Sequence, residues 1–165
     1  MQKRYGAPGP QNGLYKAGTN KWDVFYGFGK DTEDAEHGWN WYERFTHRPT
    51  LDEIKSAILQ SIESEYSDKM RYGLRWNDLP VEYTEERKSD LTGLLVAMQG
   101  GIMQLPITLN LGSYPDGSPV FYQFESAEEI TSVASALLEH KTNVCAAEWQ
   151  EKATIDWSVY ENVIE

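Results

Sequence analysis

An α+β fold, antiparallel β-hairpins alternating with three helices, is predicted by three features of the sequence. Apolar residues alternate with polar ones on both sides of turn-rich stretches within 21–45, 74–83 and 105–124. Amphipathic segments follow each pair and open on capping residues, Thr50, Thr84 and Ser126. The resulting order is hairpin, helix, hairpin, helix, hairpin, helix, and such helices cannot all be crossovers of one parallel sheet.

Residues 1–20 are rich in Gly, Pro, Asn and Lys and read as a flexible arm with little core of its own. Residues 21–48 form an aromatic hairpin. Trp22, Val24, Tyr26 and Phe28 share one face of its first strand. Trp39, Trp41 and Phe45 share one face of the return strand, while Phe25 and Tyr42 fall on the other side. The acidic loop GKDTEDAEHG lies between the strands. An isolated two-stranded ribbon is marginal in water, so this one must pack on the rest of the chain or on a partner.

The remainder, 49–165, reads as an α+β domain. Thr50 and Glu53 make a T-x-x-E capping box for a helix reaching about Met70. Leu51, Ile54, Ile58, Ile62 and Tyr66 are its apolar stripe, and Gly73 ends it. Next, GLRWNDLPVEYTEER reads as strand, turn, strand and helix start. Asn77-Asp78 supplies the turn without the glycine of the strongest hairpin signal, and Pro80 places the return strand at an edge. Thr84 caps a helix whose first turn carries Glu85 and Glu86, where the helix dipole favours negative charge. Leu91, Leu94, Leu95 and Met98 form its buried face, ended by Gly100-Gly101. Leu105 to Leu111 alternates cleanly, turns at SYPDGSP, and returns through Val120, Tyr122 and Phe124. Ser126 and Glu129 form a second capping box for a helix reaching about Thr154. The tail IDWSVYENVIE is a short strand or a docked extension.

Totals narrow the function classes. The chain's 165 residues suffice for a core without metal or disulfide staples. Fifteen Lys and Arg against 26 Asp and Glu give a net charge of −11. That balance argues against a nucleic-acid binder, which needs clustered positive charge, and against an anionic membrane surface. It favours solubility or a basic partner. One cysteine, Cys145, excludes an intrachain disulfide. The start MQKRYGAPGPQNG lacks the apolar region of a signal peptide, and no apolar run reaches the ~20 residues of a membrane span.

The order of motifs carries a resemblance. The helix TLDEIKSAIL, the Trp-bearing turn GLRWNDLPVEYTEER, the hairpin PITLNLGSYPDGSPVFYQF and the helix start SAEEI together resemble a phage-associated domain family of small proteins encoded beside tail and tail-fibre genes. KWDVFYGFGKD with HGWNWYERF resembles the leader in versions from Bacteroidetes phages and prophages. The resemblance spans about residues 20–160 and implies a virion or virion-assembly context. The family has no catalytic residues to carry over.

Candidate chemistry is sparse. His37, His47 and His140 lack metal-ligand spacing. Cys145 sits mid-helix, away from the helix N-terminus or base that activates a thiol. The run Asp31, Glu33, Asp34 and Glu36 lacks the EF-hand spacing. GFGKDT fails as a phosphate loop, since Val24 stands where its first Gly is needed and Asp31 follows the Lys. The pairs Glu85-Glu86 and Glu128-Glu129 are explained by helix starts, not by a glycosidase dyad. The expectation is therefore a protein with no catalytic, cofactor or metal site.

The aromatic set Trp22, Trp39, Trp41, Tyr42 and Trp76 stands above background. Core, partner interface and sugar stacking all remain open for it. The partner-binding candidates are Trp22, Phe25, Trp39, Trp41 and Tyr42, because one aromatic face of the first hairpin serves the core and the other needs a cover. Trp76 is expected to anchor its turn against the helix Leu91 to Met98. The expected function is a phage virion structural or assembly protein at the tail or tail fibre, in the virion or the host cytoplasm during assembly. Its partners would be other virion proteins or a second copy of itself. The alternative is a glycan-binding module for host attachment.

Overall fold

A computed structural model describes residues 1–164 and shows an α+β fold. Its strands are β1 (Gln2–Ala7), β2 (Gly13–Gly18), β3 (Lys21–Gly29), β4 (Gly38–Phe45), β5 (Leu74–Trp76), β6 (Leu79–Val81), β7 (Ile107–Ser113), β8 (Pro119–Phe124) and β9 (Val163–Ile164). Its helices are α1 (Leu51–Tyr72), α2 (Glu85–Gln99) and α3 (Ala127–Ala153), with a 3-10 turn at Trp157–Tyr160. The chain divides into two units, Met1–Ser64 with Gln150–Glu165, and Glu65–Trp149. The division falls within α1, not near residue 48 where the hairpin was expected to end, and Ile54, Ile58 and Ile62 from the first half of α1 are buried in the first unit.

The first unit is a five-stranded sheet in the order β1-β4-β3-β2-β9, antiparallel except for the β2–β9 pair. Residues 1–20 are therefore not an arm but two strands of this sheet. Their composition hides them. Gly6, Gly13 and Gly18 have positive φ, and most side chains of β1 face solvent. Leu14 and Val24, paired across β2 and β3, are fully buried, as are Ile54, Ile58 and Ile62 of α1. The capping box forms as its sequence dictates, with Thr50 N donating to Glu53 Oε2 at 2.7 Å and Glu53 N to Thr50 Oγ1 at 3.3 Å. In the tail, β9 is a strand, and the Tyr160 hydroxyl donates to the Phe25 carbonyl at 3.0 Å.

The second unit holds the hairpins β5–β6 and β7–β8, joined by Glu82 N donating to Leu111 O at 2.9 Å. Asn77 and Asp78 both have positive φ, 49° and 61°, as a type I′ turn requires. Asp78 thus takes the place glycine usually holds. Thr84 caps α2, accepting from Arg87 N at 3.0 Å. Ser126 Oγ accepts from Glu129 N at 3.2 Å, while the Glu129 carboxylate reaches back to Glu125 N at 2.8 Å.

Leu74, Trp76, Val81, Leu91, Leu111, Val120, Phe124, Ile130, Val133 and Leu137 belong to one apolar core. Trp76 is buried in it, but its direct ring partners are on β8, not α2. Tyr122 meets it edge-on at 5.0 Å and Phe124 lies at 6.0 Å. Its indole N–H donates to Ser132 Oγ of α3 at 3.0 Å, so the ring brings both apolar area and a satisfied donor.

Candidate functional site

Strand register collects an unusual set of side chains on one face of the five-stranded sheet. Phe25 stands opposite Tyr42, and Asp23 opposite Arg44, across β3 and β4. Tyr15 of β2 pairs with Asp23, and Arg4 of β1 with Asn40. The Asp23 carboxylate, in a residue 5% exposed, accepts from Arg44 Nε and Nη2, both at 2.7 Å, and from the Tyr42 hydroxyl at 3.2 Å. The hydrogen bond from Arg44 holds the Asp23 carboxyl below its usual range against the opposing effect of burial. Burial first, and then the Asp23 charge, push the Tyr42 hydroxyl up.

Aromatic rings fill the space between these charges. Tyr15 meets Phe25 edge-on at 5.5 Å, and Phe25 lies 5.2 Å from Tyr42. The Arg4 guanidinium lies 5.3 Å from the Phe25 centroid and 5.0 Å from that of Tyr42, within cation–π range. The loop from β1 to β2 is pinned beside them. Asn12 Oδ1 accepts from Gly27 N at 2.7 Å. The Asn40 amide donates to the carbonyls of Gly27 and Gly9. Gly27 has φ +63°, in the irregularity of β3, where a side chain would be strained. A cavity of about 380 Å³ opens between this loop and Arg4, Tyr15, Asp23, Phe25 and Asn40.

The five partner-binding candidates do not come together. Phe25 and Tyr42 belong to this face. Trp22 and Trp41 are paired in register with Phe45 and Tyr26 and belong to the opposite one. There Trp39 meets Trp41 at 5.3 Å, with the Lys3 ammonium 3.9 Å over the Trp39 ring and the Trp39 indole N–H donating to Asp31 Oδ1 at 3.1 Å. Phe25 and Trp39 are only 6% and 7% exposed, while Trp22, Trp41 and Tyr42 are half-buried. The inference that one aromatic face needs an outside cover loses its force. The chain covers its own rings with Arg4 and Lys3 of β1 and Tyr15 of β2. Sequence reasoning missed Arg4 and Tyr15 because it did not see β1 and β2 as strands, and it missed Asp23 because it followed only the aromatic and apolar residues of β3. Asp23, two residues before Phe25 in an alternating strand, was the available signal.

Both oxygens of Asp23 are occupied by a guanidinium fork, which favours a permanently ionised acceptor over a general acid or base. Elsewhere, His47 Nε2 lies 3.0 Å from Glu53 Oε1. His140 Nε2 faces the Lys69 and Met70 carbonyls at 3.1 and 3.0 Å, which requires that nitrogen to carry a proton. Among the described residues, no three His, Cys, Asp or Glu side chains converge as metal ligands, and no helix is long and apolar enough to cross a membrane. Comparison with protein-family models, curated proteins and solved structures finds no match for this chain.

Proposed function

We propose that this protein is a non-enzymatic docking component of a phage particle, associated with the tail or tail fibre, or with its assembly. The phage context comes from the resemblance of its motif order. The single observation supporting a docking role is the apolar surface of the second unit. Val96, Ile102, Phe121, Leu138 and Trp149 are each more than half exposed there. Large exposed apolar side chains such as these are the ones a protein partner would cover. The partner is another virion protein. The test is mass spectrometry of purified virions together with co-purification of tail proteins on the full chain. Recovery of a tail protein, reduced by Ile102→Ser or Trp149→Ser, is the expected result. Absence from virions combined with no recovered tail protein overturns the reading.

One observation favours a second role, a glycan-binding module for host attachment. The cavity beside Arg4 sets aromatic rings next to buried polar side chains, the combination that a sugar with one apolar and several polar edges requires.

A further inference from the structure

Arg4 and Arg44 share one face, yet only one of them is spent on Asp23. Arg44 takes both carboxylate oxygens at 2.7 Å. Arg4 Nη1 stays 3.9 Å from Asp23 Oδ2, and its side chain is 55% exposed. On this face two guanidiniums stand against one carboxylate; Arg4 and Asp23 line the cavity, and the Asp23 charge is taken up by Arg44 behind it. The Arg4 fork lies over Phe25 and Tyr42, which limits its motion and leaves N–H donors for a planar anion.

The cavity wall supplies the rest of a ligand's surface. Tyr15, half-buried, offers a ring for stacking. Asn40 is 1% exposed and its amide is oriented by two backbone carbonyls, so it is a preorganised polar group at the cavity floor. The volume of about 380 Å³ is at the low end of small-ligand sites, which run from roughly 300 to 1,000 Å³. A lone Asp or Glu side chain from a protein partner would leave most of it empty. A six-membered ring bearing a carboxylate uses both the volume and the free fork.

We infer that this cavity is a subsite for one carboxylate-bearing sugar residue of the uronic-acid type. Its carboxylate docks on Arg4, its ring lies against Tyr15 and its hydroxyls reach toward Asn40. The ligand class rests on the glycan-binding reading, and the choice of an acidic over a neutral sugar rests on Arg4 alone. The test is titration of the full chain, labelled with nitrogen-15, with trigalacturonate, with maltotriose and with triglutamate. The expected result is saturable shifts at the Arg4, Tyr15 and Asn40 amides with trigalacturonate, and at least tenfold weaker binding of the other two. Arg4→Gln weakens trigalacturonate at least tenfold, and Arg4→Lys, which keeps charge but not the fork, weakens it less. Each variant's melting midpoint is followed, so that loss of binding is read only in folded protein. Equal binding of maltotriose overturns the selection by Arg4 while sparing the glycan reading. No shift with either sugar overturns both. Equal binding of triglutamate overturns the sugar assignment, and an Arg4→Gln variant that binds as before overturns the docking of the carboxylate on Arg4.

Discussion

Two aromatic clusters, one in each unit, are covered in opposite ways. In the second, Trp76 and Phe124 are buried among Leu, Ile and Val with Tyr122 packed against them, and the Trp76 indole donor is met by Ser132. In the first, Phe25 and Tyr42 lie under guanidinium groups, and Trp39 under an ammonium. Apolar cover gains from water release and is indifferent to pH. Ionic cover keeps a polar surface over an apolar layer, so the rings stay near solvent and near any ligand that approaches. The first strategy makes a scaffold. The second leaves charged groups at the rim of a cavity.

Breaking the apolar cover has the largest expected effect. Trp76→Ala removes the ring shared by β5, β8 and α3 and is expected to cost about 3 kcal/mol or more. Denaturant midpoints measure it, and unchanged midpoints with lost partner binding would move Trp76 from core to interface.

Breaking the ionic cover costs less. Asp23→Asn keeps the shape but strands the Arg44 fork. Losing one member of a buried pair costs roughly 3–5 kcal/mol, and because Arg44 is itself half exposed to water the expectation falls to about 2 kcal/mol. The same variant sharpens the comparison through pH. Folded Asp23 titrates below its ordinary value, so between the two values the unfolded chain binds more protons. The stability it supplies is fully present above the ordinary carboxylate range and is lost as pH falls through the lowered folded value. The midpoint of Asp23→Asn is therefore expected to fall less steeply on acidification than that of the unaltered chain. Parallel acid limbs would show that Asp23 carries no share of acid sensitivity.

The smallest expected effect lies outside both covers. Thr84→Ala removes the cap that accepts from Arg87 N and is expected to cost about 1 kcal/mol by the same denaturant measurement. A loss as large as that of Trp76→Ala would mean that the α2 start is part of the core and not a local cap.

Local chemistry made much of this fold readable along the chain. Thr50 with Glu53, and Thr84 before Glu85, mark helix starts because their side chains meet donors within three residues. The alternation through Leu109, Leu111, Val120 and Phe124 marks β7 and β8 because one sheet face must be dry. By itself, then, the sequence determined the class, the helices and the three hairpins, since each depends on neighbours a few positions apart. Tertiary structure alone decided that Gln2–Ala7 and Gly13–Gly18 are strands, that the first hairpin is the middle of a five-stranded sheet, and that Arg4 comes to rest over Phe25 and beside Asp23. Strand pairing joins residues tens of positions apart, and its register, which no local pattern encodes, chooses which charge meets which ring.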